Sequence, residues 1–506
     1  MYQDYVRDVD RMLQNHYSFW ERQKRVPLFE ALIRHAMREP HPFHVPGHKM
    51  GRSFDCGGRD WYGSILPLDL TELNGLDDLH QPDGAIREAQ ALAAEAYGAE
   101  ETRFLVGGST AGNIALILAV CRPGEKIIVQ RNCHKSVYNG ILLARAHPVF
   151  VVPAVDPVTG AAVGLRREDV ERTLMEHPDA KAVFITNPTY YGMGIDLKKL
   201  ASTVHRFGVP LLVDEAHGSH YGFHPDLPAS AMQSGADAAV QSTHKMSTAM
   251  TMSSMLHVQG NRLNRDRLFR ILAMIQSSSP SYPLMASLDL ARRHMVVAGR
   301  KEMDQVLPCL QQFRERVSTL SWVTLPAVTE ESVYATLDPF KLMLCFRTRA
   351  ITGFQLQGEL EAQGIFPELA ELGHVLLAAS TGTLAEDVEL VWNTLHARSP
   401  LYDDGAKNAS AAGMLASHFT REQAMPMYEA ADADAQSVPL SEAIGAVAAE
   451  MVIPYPPGIP LLVPGERIDQ QAISLLQKLK ESGTRFHGVK DPQLNEIQIV
   501  LGRNRW

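Results

Sequence analysis

Two stretches decide the fold: Val209-Pro210-Leu211-Leu212-Val213-Asp214-Glu215-Ala216-His217-Gly218 and Ala238-Ala239-Val240-Gln241-Ser242-Thr243-His244-Lys245. Each begins as a short apolar run and ends in polar residues. Runs this short, bounded by turn residues, predict strands buried on both faces. The first puts Asp214 at a strand's carboxyl end, and the second puts Lys245 just past the next strand. An amine and a carboxylate at neighbouring strand ends suit an aldehyde cofactor with a pyridine ring. The amine condenses with the aldehyde as a Schiff base, and the carboxylate keeps the ring nitrogen protonated. The pair points to pyridoxal 5′-phosphate. A lysine is usually a solvated charge and an Asp after a strand often a cap, but a lysine set against an apolar strand has its pKa lowered from about 10.4.

Outward from this pair, strand and helix alternate between Arg103 and about Val258. Strands are expected at 104–106, 126–129, 148–152, 182–186 and 211–213. Helices are expected at 114–120, 136–145, 168–176 and 197–207. This alternation predicts an α/β fold, a mostly parallel sheet with helices on both faces and ligands at the strands' carboxyl ends. Ile86 to Tyr97 reads as an amphipathic helix. Residues 1 to about 75 read as irregular. A long helical region is expected from Leu284 to about Val317. A smaller α/β pattern follows, with strand 340–347 and helix 353–363. A polar linker is expected from Ser399 to Ala412, and a helix from Ser441 to Glu450. The expected division is an N-terminal segment 1–75, a large cofactor-binding domain 76–320, a small α/β domain 321–400 and a C-terminal domain 415–506.

Further candidates cluster at the same strand ends. Gly107-Gly108-Ser109-Thr110-Ala111-Gly112 joins a strand to a helix. Small residues there let backbone N–H groups reach an anion at the positive helix N-terminus. Ser109 and Thr110 add hydroxyls, a set suited to one phosphate. Ser242 and His244 could add phosphate or ring contacts. His134 could stack on the ring or cap a helix, and His217 could touch ring substituents or be structural. The 20 histidines include His41, His44 and His48, but no zinc spacing occurs, so no metal is expected.

Composition narrows the class. The chain has 506 residues, 45% hydrophobic and 21% charged, which suits several packed domains. Its net charge of −9 argues against nucleic acid. Five cysteines, Cys56, Cys121, Cys133, Cys309 and Cys345, form no CxxC pair and suit a reducing compartment. Met1 to Trp20 lacks a signal peptide's apolar core, and no apolar run reaches the roughly 20 residues of a membrane span. A cytoplasmic protein with no membrane partner is expected.

Six runs, in order along the chain, resemble one family: Phe43-His44-Val45-Pro46-Gly47-His48-Lys49, Leu76-Asp77-Asp78-Leu79-His80, Val213 to Gly218, Ser242 to Lys245, Ser277-Ser278-Ser279-Pro280-Ser281-Tyr282, and Pro454-Tyr455-Pro456-Pro457-Gly458-Ile459-Pro460. The chain resembles the ornithine/lysine/arginine decarboxylases among the fold-type-I pyridoxal-phosphate enzymes, most closely the short bacterial form without a wing domain. The resemblance implies decarboxylation of lysine, arginine or ornithine to cadaverine, agmatine or putrescine. It implies that Lys245 carries the cofactor, Asp214 meets the pyridine nitrogen and His134 stacks on the ring. Ser109, Thr110, Ser242 and His244 would hold the phosphate region, and Lys245 or His244 would return a proton to the α-carbon. Ser278 would reach the phosphate of a neighbouring subunit, which implies a homodimer or higher homo-oligomer with shared sites. Glu368 would meet the substrate's distal cation. The chain departs from the pattern at Ala111, where some members carry a hydroxyl, and in having serines at 277–279. An aminotransferase or lyase on the same fold, or a non-catalytic regulatory homologue, are the alternatives.

Overall fold

Leu211, Leu212 and Val213 are fully buried but serve two different cores. Successive strand residues point to opposite sheet faces. Leu212 packs with Val129, Phe184, Val240 and Leu256 on one side, while Leu211 and Val213 pack with Ile128, Val183, Ile185 and Ala239 on the other. This is why the strands read as unbroken apolar runs. The computed structural model describes residues 18–402, 421–455 and 458–502. Residues 1–17, 403–412 of the expected linker, 415–420 at the start of the expected C-terminal domain, and Pro456 and Pro457 lie outside that set.

The strands are β1 (Glu101–Leu105), β2 (Lys126–Gln130), β3 (His147–Val151), β4 (Val183–Thr186), β5 (Met193–Gly194), β6 (Leu211–Asp214), β7 (Ala238–Gln241) and β8 (Ser254–Val258). All but β5 form one sheet in the order β1-β8-β7-β6-β4-β2-β3. β7, β6, β4, β2 and β3 are parallel, and β8 is antiparallel to both β1 and β7. Helices Gly108–Val120, Lys135–Ala144 and Arg265–Ile275 cover one face, and Arg167–Glu176 and Leu197–Arg206 the other. The expected mostly parallel sheet covered on both faces is present. Thr186 pairs in register with Asp214, and Asp214 with Val240, so the ends of β4, β6 and β7 lie level.

Three expectations are corrected. The region before residue 75 is not wholly irregular. Pro27–Ala36 is a helix whose Leu28, Ala31 and Leu32 pack against Ile86, Ala89 and Leu288. The stretch Ser441–Glu450 is not a helix. Gly445 adopts φ +82°, and Val447 and Ala448 bridge to Arg467 and Ile499, so strand-like pairing overrides a helix-favouring Ala content. The residues from Ser399 to Tyr402 belong to the helix Ala385–Tyr402 rather than to a linker.

After helices Tyr282–His294 and Arg300–Val317, β9 (Val323–Thr324), β10 (Thr336–Leu337), β11 (Lys341–Phe346), β12 (Leu369–Glu371) and β13 (His374–Ala378) follow. Four of these make an antiparallel sheet, β12-β13-β11-β9, and β10 pairs with β5. That pairing ties the small sheet to the loop after β4 and brings Lys341 and Glu368 towards the large sheet. A C-terminal core around Leu440, Leu462, Ile473, Leu476 and Ile497 completes the chain.

Candidate functional site

The loops at the carboxyl ends of β1, β2, β4, β6 and β7 surround a cavity of about 680 Å³. Ser109, Thr110, His134, Asp214, His217, Ser242, His244, Lys245 and Glu368 all line it. Two expected residues do not. Ala111 is buried in the first turn of the helix Gly108–Val120, and Ser278 is exposed on the segment before Pro280.

One end is built for an anion. Gly108 takes φ +70°, a left-handed conformation that suits glycine, and opens the helix Gly108–Val120. The helix begins there rather than at Ile114, so Ser109 and Thr110 occupy its first turn, beside unpaired N–H groups and the positive end of its dipole. Ser242 Oγ donates to Ser109 Oγ at 2.9 Å, joining the loops after β1 and β7. Gly112 lets the helix lie close on the sheet: a Cβ there would stand 2.8 Å from both Leu105 and Val240.

The middle is held by a carboxylate. Asp214 Oδ2 accepts from Asn113 Nδ2 at 2.9 Å, and Oδ1 from the Ala216 N–H at 3.1 Å. Asn113 Nδ2 also donates to Ser136 Oγ at 3.0 Å, which stands 2.8 Å from His134 Nδ1. His134 Nδ1 accepts from the Ser136 N–H, capping the helix Lys135–Ala144. His134 is therefore both cap and cavity wall. Nδ1 is an acceptor, so Nε2 carries the ring proton, and burial holds its pKa below the usual histidine value. Thr186 Oγ1, level with Asp214, is shielded and has no hydrogen-bond partner among the described residues. His244 Nδ1 donates to Ser253 O at 3.0 Å, which leaves Nε2 as the acceptor.

Amines fill the third side. Lys245 sits in the short helix Thr243–Met246 and reaches into the open cavity. Solvent touches it there, yet the surrounding protein desolvates the amine and lowers its pKa, opposed by Asp214 and Glu368. Its Nζ lies 3.0 Å from His217 Nε2. Tyr190, from the loop after β4, packs its ring 4.3 Å from that of His217 and donates to Glu368 Oε1 at 2.5 Å. Burial and Glu368 push the Tyr190 phenol pKa up, so it stays a donor.

The sequence reading missed Asn113, Thr186, Tyr190 and Lys341, and it quoted Tyr455 and Ile459 in the run Pro454 to Pro460 without giving them a place in the site. Tyr190 and Thr186 carried a usable signal, because they end or follow β4 as Asp214 ends β6. Lys341 showed only as a charge opening an apolar strand. Tyr455 and Ile459 come from the C-terminal part, and a Cβ on Gly458 would lie 3.9 Å from His134. The Arg131–Glu466 pair, almost solvent-free, anchors this segment: Arg131 also donates to Pro460 O at 2.8 Å and Leu461 O at 3.2 Å.

The residues fit pyridoxal 5′-phosphate. Hydroxyls and a helix N-terminus stand at one end, a fixed carboxylate in the middle and a low-pKa amine opposite, with Thr186 Oγ1 still unpaired. Among the described residues no cluster of three or more His, Cys, Asp or Glu could hold a metal, and no helix is long and apolar enough to cross a membrane.

The comparisons with known proteins agree with this architecture. The family profile described as "Orn/Lys/Arg decarboxylase, major domain" matches residues 26–387, and "Orn/Lys/Arg decarboxylase, C-terminal domain" matches 409–496. The chain is 37% identical to arginine decarboxylase of Bacillus subtilis over 94% of this chain and 98% of that one. Its fold resembles lysine decarboxylase A from Pseudomonas aeruginosa (TM-score 0.82, 23% identity, 98% of this chain and 82% of that one). It also resembles a serine palmitoyltransferase solved with PLP (TM-score 0.51, 17% identity, 70% and 86%). The scaffold is that of the fold-type-I pyridoxal-phosphate enzymes, and the chain belongs to the ornithine/lysine/arginine decarboxylase family, whose members decarboxylate basic amino acids.

Proposed function

We propose that this chain uses pyridoxal 5′-phosphate to decarboxylate L-arginine to agmatine and carbon dioxide. The observation that carries the proposal is that Asp214, at the end of β6, and Lys245, in the short helix that follows the adjacent parallel strand β7, line one cavity. Bound there, the cofactor would supply an aldehyde for the amine and a protonated pyridine as electron sink. Ser109, Thr110, Ser242 and the helix N-terminus would hold its phosphate. Asp214, fixed by Asn113 and the Ala216 N–H, would hold the proton on the ring nitrogen. His134, fixed through Ser136, would lie along the ring.

Glu368, positioned by Tyr190, would meet the substrate's distal cation, and a carboxylate can pair with a planar guanidinium in two-point fashion. His244 Nε2, directed by the bond from Nδ1 to Ser253 O, would hold or return a proton at the substrate α-carbon. Tyr455 and Ile459 line the same cavity and would help to exclude water from the departing carboxylate. Support for arginine over lysine is the name of the 37% identical Bacillus relative. Ser278, exposed outside its own cavity, suits a contact with a second copy, so the proposal includes a homodimer.

The test is a product assay of the purified chain with arginine, lysine and ornithine in turn, reading carbon dioxide and amine. Agmatine from arginine is expected, with Lys245→Ala folded and inactive. Cadaverine or putrescine as the main product would reject the substrate. A keto acid without carbon dioxide, or substantial turnover by Lys245→Ala, would reject the reaction.

A further inference from the structure

His217 stands between two amines. Its Nε2 is 3.0 Å from Lys245 Nζ, and its Nδ1 is 3.4 Å from Lys341 Nζ. Lys341 opens β11, is 1% exposed, and among the described residues has no carboxylate within ion-pair distance. Burying an ammonium without a paired anion is costly. A purely structural position here would be met more cheaply by an apolar residue, since Leu342 to Cys345 beyond it are all apolar and buried.

We infer that Lys341 is a positioning residue that shares one proton with Lys245 through His217. The inference rests on Lys245 being the amine that bonds the cofactor. The exchange balances. With Lys245 as ammonium, its Nζ–H donates to His217 Nε2, and the His217 Nδ1–H donates to a neutral Lys341. Transfer breaks the Lys245 N–H bond and forms Nε2–H, while Nδ1–H breaks and the proton goes to Lys341 Nζ. The imidazole ends neutral with its tautomer exchanged, Lys245 is left as a free amine, and Lys341 carries the charge.

The surroundings favour a single charge on this chain of groups. Asp338 and Glu368 face Lys341, Asp214 and Glu368 face Lys245, and His134 and His220 face His217. The Tyr190 ring lies 5.7 Å from Lys245 Nζ and 5.9 Å from Lys341 Nζ. Burial pushes the Lys341 pKa down to about 8, with Asp338 and Glu368 opposing and Lys245 adding to the fall. Burial and the two amines hold His217 well below the usual histidine range, so it relays rather than stores the proton.

The test labels the full-length, cofactor-free chain with trace acetic anhydride across pH and reads Lys245 and Lys341 peptides separately by mass spectrometry. In the unaltered protein the two amines should become reactive at clearly separated pH values. Lys341→Met should raise the half-reaction pH of Lys245 by about one unit, roughly a tenfold loss of free amine below it. Lys245→Met should raise that of Lys341 by the same amount, because coupling is reciprocal. Two amines that titrate together at an ordinary lysine pH in the unaltered protein would overturn the inference without recourse to any variant, as would midpoints that do not respond to each other's removal. Repeating the labelling with pyridoxal 5′-phosphate separates the two ideas. Coupled midpoints without protection of Lys245 would keep the shared proton and reject the cofactor reading. Protection without coupling would do the reverse.

Discussion

Replacing Glu466 with leucine should release the segment that walls the cavity. Arg131 is fully buried and donates three hydrogen bonds to this one carboxylate, at 3.0, 3.0 and 3.2 Å. Glu466 also accepts from the Val463 N–H at 3.0 Å. Removing one partner of a buried ion pair costs about 3–5 kcal/mol, because the remaining charge stays desolvated. Pro460 O, Leu461 O and Tyr138 still receive Arg131, which places the cost near the lower end, about 3 kcal/mol. At about 1.4 kcal/mol per factor of ten, local opening becomes roughly 100-fold more populated. Amide deuterium exchange of the peptide spanning 459–467 in the full chain reads this directly, and its rate should rise by that factor. Arginine turnover should fall as Tyr455 and Ile459 lose their anchorage. Adding Arg131→Met should restore most of the protection, since an apolar pair no longer strands a charge: Leu461 O keeps its bond from Arg421 at 2.7 Å, and Pro460 O loses the Arg131 donor. Exchange unchanged within about threefold in the single variant, roughly 0.6 kcal/mol, would refute this reasoning.

Two further outcomes follow from packing and titration. Gly112→Ala should destabilise the chain by about 1–3 kcal/mol despite alanine's higher helix propensity, because its Cβ would strike Leu105 and Val240; a lower melting temperature with weaker cofactor capture checks this. Glu215 is buried beside Asp214, and burial raises its pKa from 4.5 to about 8. The folded state thus holds a proton that the unfolded chain has released, so stability should fall as pH rises through that window. Glu215→Gln should remove its share of that slope, and urea unfolding at the two ends of the window should show the flatter profile.

The large sheet was legible because its strands are buried on both faces: Leu211-Leu212-Val213 and Ala238-Ala239-Val240 read as strands without tertiary context. Asp214 and Lys245 stood out because polar residues close such runs only at a strand's end. Ser441–Glu450 misled because its alanines favour helix locally, while pairing with Arg467 and Ile499 comes from distant sequence. Lys341 was missed, and Tyr455 and Ile459 were quoted without a place in the site, for the same reason, since only folding brings β11 and the C-terminal part to the large sheet. His134 left two readings open, and the geometry satisfies both, because one ring nitrogen caps a helix while the ring faces the cavity.

The most direct measurement mixes the purified chain with pyridoxal 5′-phosphate, reduces with borohydride and maps the modified peptide by mass spectrometry. A pyridoxyl group on Lys245, sharply reduced in occupancy by Asp214→Ala, is the result expected. Modification spread over surface lysines, with Lys245 untouched, would contradict the account.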